Sequence, residues 1–81
     1  YTYFTFKSST FPVNATISIF DLDGKKINKI RKVCENSFCS IYWNGTNLNN
    51  QKINNGTYIY SLKIEKNNQT FKNLYKITKL K

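Results

Sequence analysis

Hydrophobic and polar residues alternate along several short stretches of the chain. The clearest stretch runs from Thr57 to Glu65, where every second residue is apolar and only Ile59 breaks the alternation. The apolar positions are Tyr58, Tyr60, Leu62 and Ile64. Because side chains alternate between the two faces of a strand, this period of two predicts a strand with one buried face.

Shorter patterns of the same kind predict further strands before and after this one. The further strands are an opening strand marked by Phe4 and Phe6 and four later strands, at residues 15–22, 25–33, 38–43 and about 70–80. The core positions that these patterns predict are Ala15, Ile17, Ile19, Ile27, Ile30, Val33, Cys39, Ile41, Trp43, Phe71, Tyr75 and Ile77. In residues 25–33 the apolar residues recur every third position, which favours a bulged or short strand over a helix.

Turn residues separate these stretches. All three glycines follow Asn or Asp, at Asp23-Gly24, Asn44-Gly45 and Asn55-Gly56, and such pairs supply the positive φ angles of tight turns. We therefore expect hairpin corners there. Residues 47–55 are polar enough to predict a flexible loop, and residues 66–69 predict the turn before the last strand.

The number and spacing of these strands indicate the fold class. A chain of 81 residues is too short for two hydrophobic cores, so residues 1–81 are expected to form a single domain. Strands every 8 to 12 residues, with nothing of helical length between them, are typical of a sandwich or barrel. We predict an all-β, immunoglobulin-like antiparallel β-sandwich of about seven short strands.

The chain carries 13 basic and 4 acidic residues, a net charge of +9. Such a charge attracts nucleic acid, anionic lipid or anionic polysaccharide, although it is equally compatible with solvated strand faces that serve no partner. The lysines are spread along the whole chain, Arg31 is the single arginine, and no aromatic RNA-binding signature is present. We therefore expect no nucleic-acid partner.

Few residues in the chain are suited to catalysis. There is no His, which excludes an imidazole base and the common Ser-His and Cys-His pairs. Asp21 and Asp23 are the one close pair of carboxylates, and they are interpreted as a hairpin corner rather than as a cation site, since the further ligands of a calcium loop are lacking. We expect a non-enzymatic domain with no cofactor and no metal.

Cys34 and Cys39 enclose four residues where two predicted strands meet. This spacing favours a disulfide across the mouth of a hairpin, worth about 2 kcal/mol in the chain-entropy model. A pair of buried thiols is the alternative, and a zinc site would need two more ligands than the chain offers. A disulfide indicates an oxidising compartment.

The aromatic residues opposite the core positions are Tyr1, Tyr3 and Tyr42. They are expected to pack within the second sheet or against a neighbouring domain, with sugar binding as the alternative.

Three blocks of sequence, in this order, resemble the C-terminal sorting domain of type IX secretion substrates, a relative of the immunoglobulin-like domain of the flagellar hook-capping protein. The first block is IFDLDG, with Asp21 and Gly24; the second is WNGT, with Trp43, Asn44 and Gly45, followed by a polar loop. The strand that begins at Gly56 and includes Tyr58 and Tyr60 completes the second block. The third is the basic terminal strand, residues 75–81. The chain departs from the family's pattern in Asn44, where Asp is common, and in its cysteine pair.

The resemblance implies that the domain is a non-catalytic address label. In this family the sorting domain follows a cargo domain in the same chain, is recognised by the outer-membrane translocon, and is removed by a sortase-like peptidase. The implied location is secreted or cell-surface, by way of the periplasm and outer membrane, with an anionic outer-membrane polysaccharide as a candidate partner. Recognition in the family is associated with the last strand. The candidate recognition residues here are Lys76, Ile77, Thr78, Lys79, Leu80 and Lys81.

A second function class fits the same fold. A structural or adhesion module of a multidomain cell-surface protein, or a hook-capping-like assembly factor, would also be an immunoglobulin-like domain without catalytic groups. We expect such a module to be followed by more chain, whereas a sorting domain ends its parent protein. In this alternative the last strand is an edge strand with solvated lysines.

Overall fold

The fold consists of β-strands connected by turns and loops. The computed structural model describes residues 2–7, 12–66 and 68–80, and all of the regular elements in these ranges are strands. They are β1 (Thr2–Lys7), β2 (Val13–Phe20), β3 (Lys26–Cys34), β4 (Phe38–Trp43), β5 (Gly56–Lys66) and β6 (Gln69–Lys79). The predicted all-β class is therefore confirmed, with six strands described where about seven were expected. Tyr1, residues 8–11, Asn67 and Lys81 lie outside the described residues.

The strands form two antiparallel sheets in a sandwich-like arrangement. The larger sheet has the order β3-β2-β5-β6, and the smaller sheet pairs β1 with β4. Strands β2 and β3 form one hairpin and β5 and β6 another, whereas β2 pairs with β5 across the long segment that contains β3 and β4. The larger sheet thus has β2 and β5 at its centre and β3 and β6 at its edges.

The core lies between the two sheets and is built from alternating residues of their facing sides. Its fully buried members include Ile17 and Ile19 of β2 and Trp43 of β4. The other buried hydrophobic residues are Phe4, Val13, Ala15, Cys34, Cys39, Ile41 and Tyr58. The alternation predicted for β2 and β4 is confirmed, because one face of each strand packs inward and removes its apolar side chains from water.

A bulge near the start of β3 changes which of its residues face the core. Ile19 pairs with Asn28 and Phe20 with Lys26, so Ile27 is the extra residue, and the shift places Ile30 opposite Ile17 on the inner face. Val33 then lies on the outer face and is 56% exposed. The bulge agrees with the bulged or short strand that the sequence favoured, but the prediction of Val33 as a core residue was wrong, since a residue three positions after Ile30 lies on the opposite face of a regular strand.

The turns follow the sequence prediction in part. Gly24, with φ +88°, lies in the β2–β3 hairpin as expected, but Asn44-Gly45 begins a long loop and Gly56 begins β5. The turn predicted over 66–69 is confirmed as the β5–β6 connection, and it uses Asn68, whose φ is +65°. Residues 47–55 form the predicted loop between β4 and β5. Several hydrogen bonds close this loop, among them those to the Asn47 side chain from the backbone N–H groups of Asn49 and Gln51.

Candidate functional site

The first matched block forms a hairpin corner that is closed by the side chain of Asp21. Its Oδ1 accepts hydrogen bonds from the backbone N–H groups of Asp23, at 3.0 Å, and Lys25, at 2.8 Å. The backbone of Asp21 also accepts from Gly24 N–H at 3.1 Å. Because the carboxylate is occupied by backbone donors, Asp21 acts as a turn residue. Across the described ranges, no group of three or more His, Cys, Asp or Glu residues is placed to hold a metal ion.

The second matched block anchors the long loop to the core. Trp43 is 1% exposed, and its indole Nε1 donates to the carbonyl of Thr46 at 2.9 Å. The same carbonyl accepts from Asn28 Nδ2 at 2.7 Å, which joins the loop to β3. The Thr46 hydroxyl donates to Asn44 Oδ1, and Gly45 supplies a φ of +78°. This block is therefore structural, since its polar groups bond to one another inside the fold.

The tyrosines of β5 also serve the fold. Tyr58 is 9% exposed, and its hydroxyl donates to the carbonyl of Asn54, four residues earlier, at 2.7 Å. This local bond resembles the tyrosine corner of β-sandwiches, in which a tyrosine hydroxyl bonds to the upstream backbone. Tyr60 contacts Phe4 of the smaller sheet, with ring centroids 4.6 Å apart. Burial raises the pKa of Tyr60 above 10.0, and the neighbouring Tyr75 raises it further.

Cys34 and Cys39 form a disulfide, with Cα atoms 5.6 Å apart. The predicted bond is present, but the predicted place in a hairpin was wrong. Cys34 ends β3 of the larger sheet, where it pairs with Val13, and Cys39 belongs to β4 of the smaller sheet, where it pairs with Phe6. The disulfide therefore connects the two sheets. Lys32 adds a second link between the same strands, because its Nζ donates to the Ser40 carbonyl at 2.6 Å.

The candidate recognition residues occupy the end of an edge strand. Among the described strands, β6 borders β5 alone in the larger sheet, and its residues from Gln69 to Lys76 are all exposed. Ile77 and Lys79 are half-buried and Thr78 is exposed. Leu80, 71% exposed, follows the strand. The structure therefore brings Lys76 to Leu80 together at one accessible edge, whereas Lys81 lies outside the described residues.

The inner face of β6 extends beyond the cover of the smaller sheet. Phe71 lies opposite Ile64, and Tyr75 lies opposite Tyr60, so all four side chains share the core-facing side. Phe71 is nevertheless 49% exposed and Tyr75 is 43% exposed. The predicted common face of Phe71, Tyr75 and Ile77 is confirmed, but a two-stranded sheet is too narrow to bury the outer strand of a four-stranded one.

The outer face of the larger sheet is a basic trough that the sequence analysis missed. Its floor is formed by the short side chains of the central strands, among them Ser18 at 9% exposure and Ser61 at 3%. The trough has a volume of about 550 Å³. The basic side chains that line it on the outer face are Lys26, Lys29, Arg31, Lys63 and Lys72. The lysines are spread along the sequence, and only the cross-strand register brings them together.

The charges around this trough repel one another. Arg31 lowers the pKa of Lys29 below 10.5, and Lys26 and Lys63 act in the same direction. One acidic side chain of the trough, Glu65, approaches Lys63 at 3.9 Å, and both side chains are nearly half exposed. The trough is thus a region of positive potential, in which added anions reduce the repulsion.

Comparisons with known proteins do not assign this chain to a family or a function. Neither the family models, nor the curated proteins, nor the solved structures give a match to this chain. Likewise, the described ranges contain no helix long and apolar enough to cross a membrane.

Proposed function

We propose that this domain is a C-terminal secretion signal that directs an attached cargo protein across the outer membrane through the type IX translocon. The observation that carries the proposal is the position of β6. Residues 75–79 of the third block, which resembles that of type IX sorting domains, belong to this strand, and the strand forms an exposed edge of the larger sheet. An edge strand can add to a strand of a partner, which gives the translocon a backbone surface as well as side chains to recognise.

The remaining two blocks support the same proposal through the fold. Asp21 closes the first hairpin and Trp43 anchors the loop, so both blocks maintain the sandwich that presents β6. A signal read in the folded state needs such a scaffold, because the geometry of an edge strand exists only within its sheet. The cargo domain precedes this domain in the same chain, and a sortase-like peptidase separates the two at the cell surface.

The test is export of a fluorescent reporter fused in front of residues 1–81 in a bacterium with a type IX system. We expect deletion of residues 76–81, and also the double substitution Lys76→Gln and Leu80→Asn, to abolish surface delivery. The matched control is Lys52→Gln with Leu48→Asn, which changes the same residue types at exposed positions of the loop. Circular dichroism of each purified domain establishes that it folds.

Surface delivery by the control but not by the β6 variant supports the proposal. Delivery by a folded β6 variant at the level of the unchanged domain contradicts it. Retention of every fusion in the periplasm also contradicts it and favours the alternative, a structural or adhesion module. One observation agrees with that alternative: Tyr3 and Tyr42, 66% and 51% exposed, place their rings 5.0 Å apart on the outer face of the smaller sheet, where a neighbouring domain could pack.

A further inference from the structure

The cross-strand register arranges the outer face of the larger sheet in four rows. The rows nearest the centre are Lys29, Ser18, Ser61 and Leu74, and then Arg31, Thr16, Lys63 and Lys72. The flanking rows are Lys26, Phe20, Ile59 and Lys76, and Val33, Asn14, Glu65 and Thr70. Basic side chains therefore stand on both edge strands and, at Lys63, on central strand β5. The small polar residues of the central strands are Asn14, Thr16, Ser18 and Ser61.

This arrangement produces an elongated depression. The edge strands β3 and β6 lie about 14 Å apart across three strand spacings, and successive rows lie about 7 Å apart along the strands. Thr16 and Ser18, at 9% exposure each, and Ser61, at 3%, form the recessed floor. Their hydroxyl groups both donate and accept hydrogen bonds. The hydroxyl-bearing floor is bordered by Lys26, Lys29 and Arg31 on β3 and by Lys63 and Lys72 on the other side, which is the chemistry of a binding site for an extended anion.

We propose that this trough binds a linear anionic polysaccharide, a glycan whose sugars carry carboxylate, sulfate or phosphate groups. The ammonium and guanidinium groups of Lys29, Arg31 and Lys63 pair with its anionic groups, and the Ser18 and Ser61 hydroxyls meet its sugar hydroxyls. At one end Phe20, half-buried and 5.9 Å from the Lys26 ammonium, offers an aromatic ring on which a sugar can stack. This proposal does not depend on the secretion function.

The same residues favour a glycan over other polyanions. Proteins that bind single-stranded nucleic acid stack successive bases on several aromatic rings, whereas Phe20 is the one aromatic side chain among the residues that line the trough. A lipid surface is contacted by protruding apolar and basic groups. The exposed apolar side chains of this face, Val33 and Leu74, lie on its edge strands, whereas the floor between them is recessed and carries the Ser18 and Ser61 hydroxyls. Nucleic acid and anionic vesicles are therefore the competitors that the experiment must separate.

The experiment measures binding of a fluorescently labelled heparin fragment to the 81-residue chain at physiological salt. Neutral dextran, a thymidine oligonucleotide of equal charge and vesicles containing phosphatidylglycerol are compared with it. The trough variant is Lys29→Gln, Arg31→Gln and Lys63→Gln, and the control is Lys7→Gln, Lys25→Gln and Lys52→Gln. Each removes three charges from the net +9, but the control residues lie outside the trough.

We expect the heparin fragment to bind, neutral dextran not to bind, and the trough variant to lose about tenfold or more in affinity while the control loses no more than about twofold. A second variant, Ser18→Val with Ser61→Val, keeps every charge and should weaken binding at least about threefold, because it removes the hydroxyls and fills the floor. Circular dichroism and thermal unfolding check that each variant folds.

Three results would overturn the proposal. Equal losses in the trough variant and the charge-matched control would show that net charge alone attracts the glycan. Unchanged binding by the folded floor variant would show that the recessed hydroxyls are not part of a site. Binding of the oligonucleotide or the vesicles as tightly as heparin, with the same sensitivity to the trough variant, would assign the face to that other class of partner.

Discussion

Individual residues of this fold are distinguished by the face of the sheet on which they lie. Val13 and Val33 are the same residue type on neighbouring strands, yet Val13 is 2% exposed and Val33 is 56% exposed. Val13 packs in the core opposite Cys34, and Val33 lies on the outer face opposite Asn14. This pair allows the assignment of the two faces to be tested with one chemical change.

We expect Val13→Ala to lower the free energy of unfolding by about 2 to 3 kcal/mol, since it removes two buried carbon atoms and leaves a cavity. Val33→Ala should change it by no more than about 0.5 kcal/mol. Urea unfolding followed by tryptophan fluorescence measures both values. Equal losses in the two variants would contradict the register of β3 after its bulge.

The Tyr58 hydroxyl gives a second test at the residue scale. Tyr58→Phe removes its bond to the Asn54 carbonyl and should destabilise the fold by about 1 kcal/mol, the usual net value of one hydrogen bond. Tyr3→Phe, which removes a hydroxyl from a ring that is 66% exposed, is the matched control. If the two variants unfold at the same urea concentration, the bond from Tyr58 contributes nothing to stability.

At the residue scale, most core positions could be predicted from the pattern of apolar residues. Alternating apolar residues placed Ile17, Ile19, Ile41 and Trp43 in the core, because a strand offers only two faces. Sequence could not place Val33, since a bulge shifts the face of every later residue in the strand.

At the scale of elements, the disulfide from the end of β3 to β4 forms a covalent connection between the two sheets. The bond joins two strands that are neighbours in sequence but belong to different sheets. It therefore keeps the smaller sheet on the larger one as well as closing a short loop.

We expect Cys34→Ala with Cys39→Ala to lower the free energy of unfolding by about 2 kcal/mol, mainly because the unfolded chain regains freedom. Chemical denaturation of the variant and of the unchanged domain, each with and without dithiothreitol, measures this effect. Reduction should shift the unchanged domain and leave the variant unaffected. A variant as stable as the oxidised domain would contradict a stabilising role for the bond.

The pairing of β5 with β6 gives a pH-dependent prediction through Tyr60. The pKa of Tyr60 is raised in the folded state. As pH rises above 10, its phenolic hydroxyl therefore loses its proton in the unfolded chain before it does so in the folded one. The folded state then holds more protons, and the free energy of unfolding falls as pH rises from 10.0 through the folded pKa. Tyr60→Phe lacks this proton, so the unchanged domain should lose stability relative to the variant over that interval. Urea titrations at several pH values measure the difference, and parallel curves would contradict the raised pKa.

The strands themselves were predictable, whereas their partners were not. The pattern located all six described strands within a few residues, and the predicted start of the last strand lies one residue from Gln69. It could not say that β1 pairs with β4, because that pairing depends on which surfaces the two sheets bury together.

For the whole molecule, the important property is how its positive charge is distributed. Lys29 lies among Arg31, Lys26 and Lys63, and its pKa is lowered by them. Below the folded pKa the charged Lys29 therefore opposes folding, and this unfavourable contribution disappears only as pH rises towards 10.5.

We expect Lys29→Gln to raise the melting temperature at neutral pH and low ionic strength, and this gain to shrink as salt screens the repulsion. Lys7→Gln, at an exposed position of the smaller sheet, should show a smaller gain. Differential scanning calorimetry at low and high sodium chloride tests both variants. Equal gains in the two would indicate that only the net charge, and not its position, affects stability.

The sequence by itself determined the class of the fold, the inward residues of most strands and the absence of an imidazole, and it favoured the pairing of the two cysteines. These depend on local preferences, on the period of two and on composition, all of which can be read along the chain. Tertiary structure alone decided that the disulfide joins two sheets, that β6 is an exposed edge and that dispersed lysines share one trough. The reason is that antiparallel pairing places residues side by side that are distant in sequence. Which residues become neighbours depends on the register of the strands, and that register is set when the two sheets bury their apolar faces against each other.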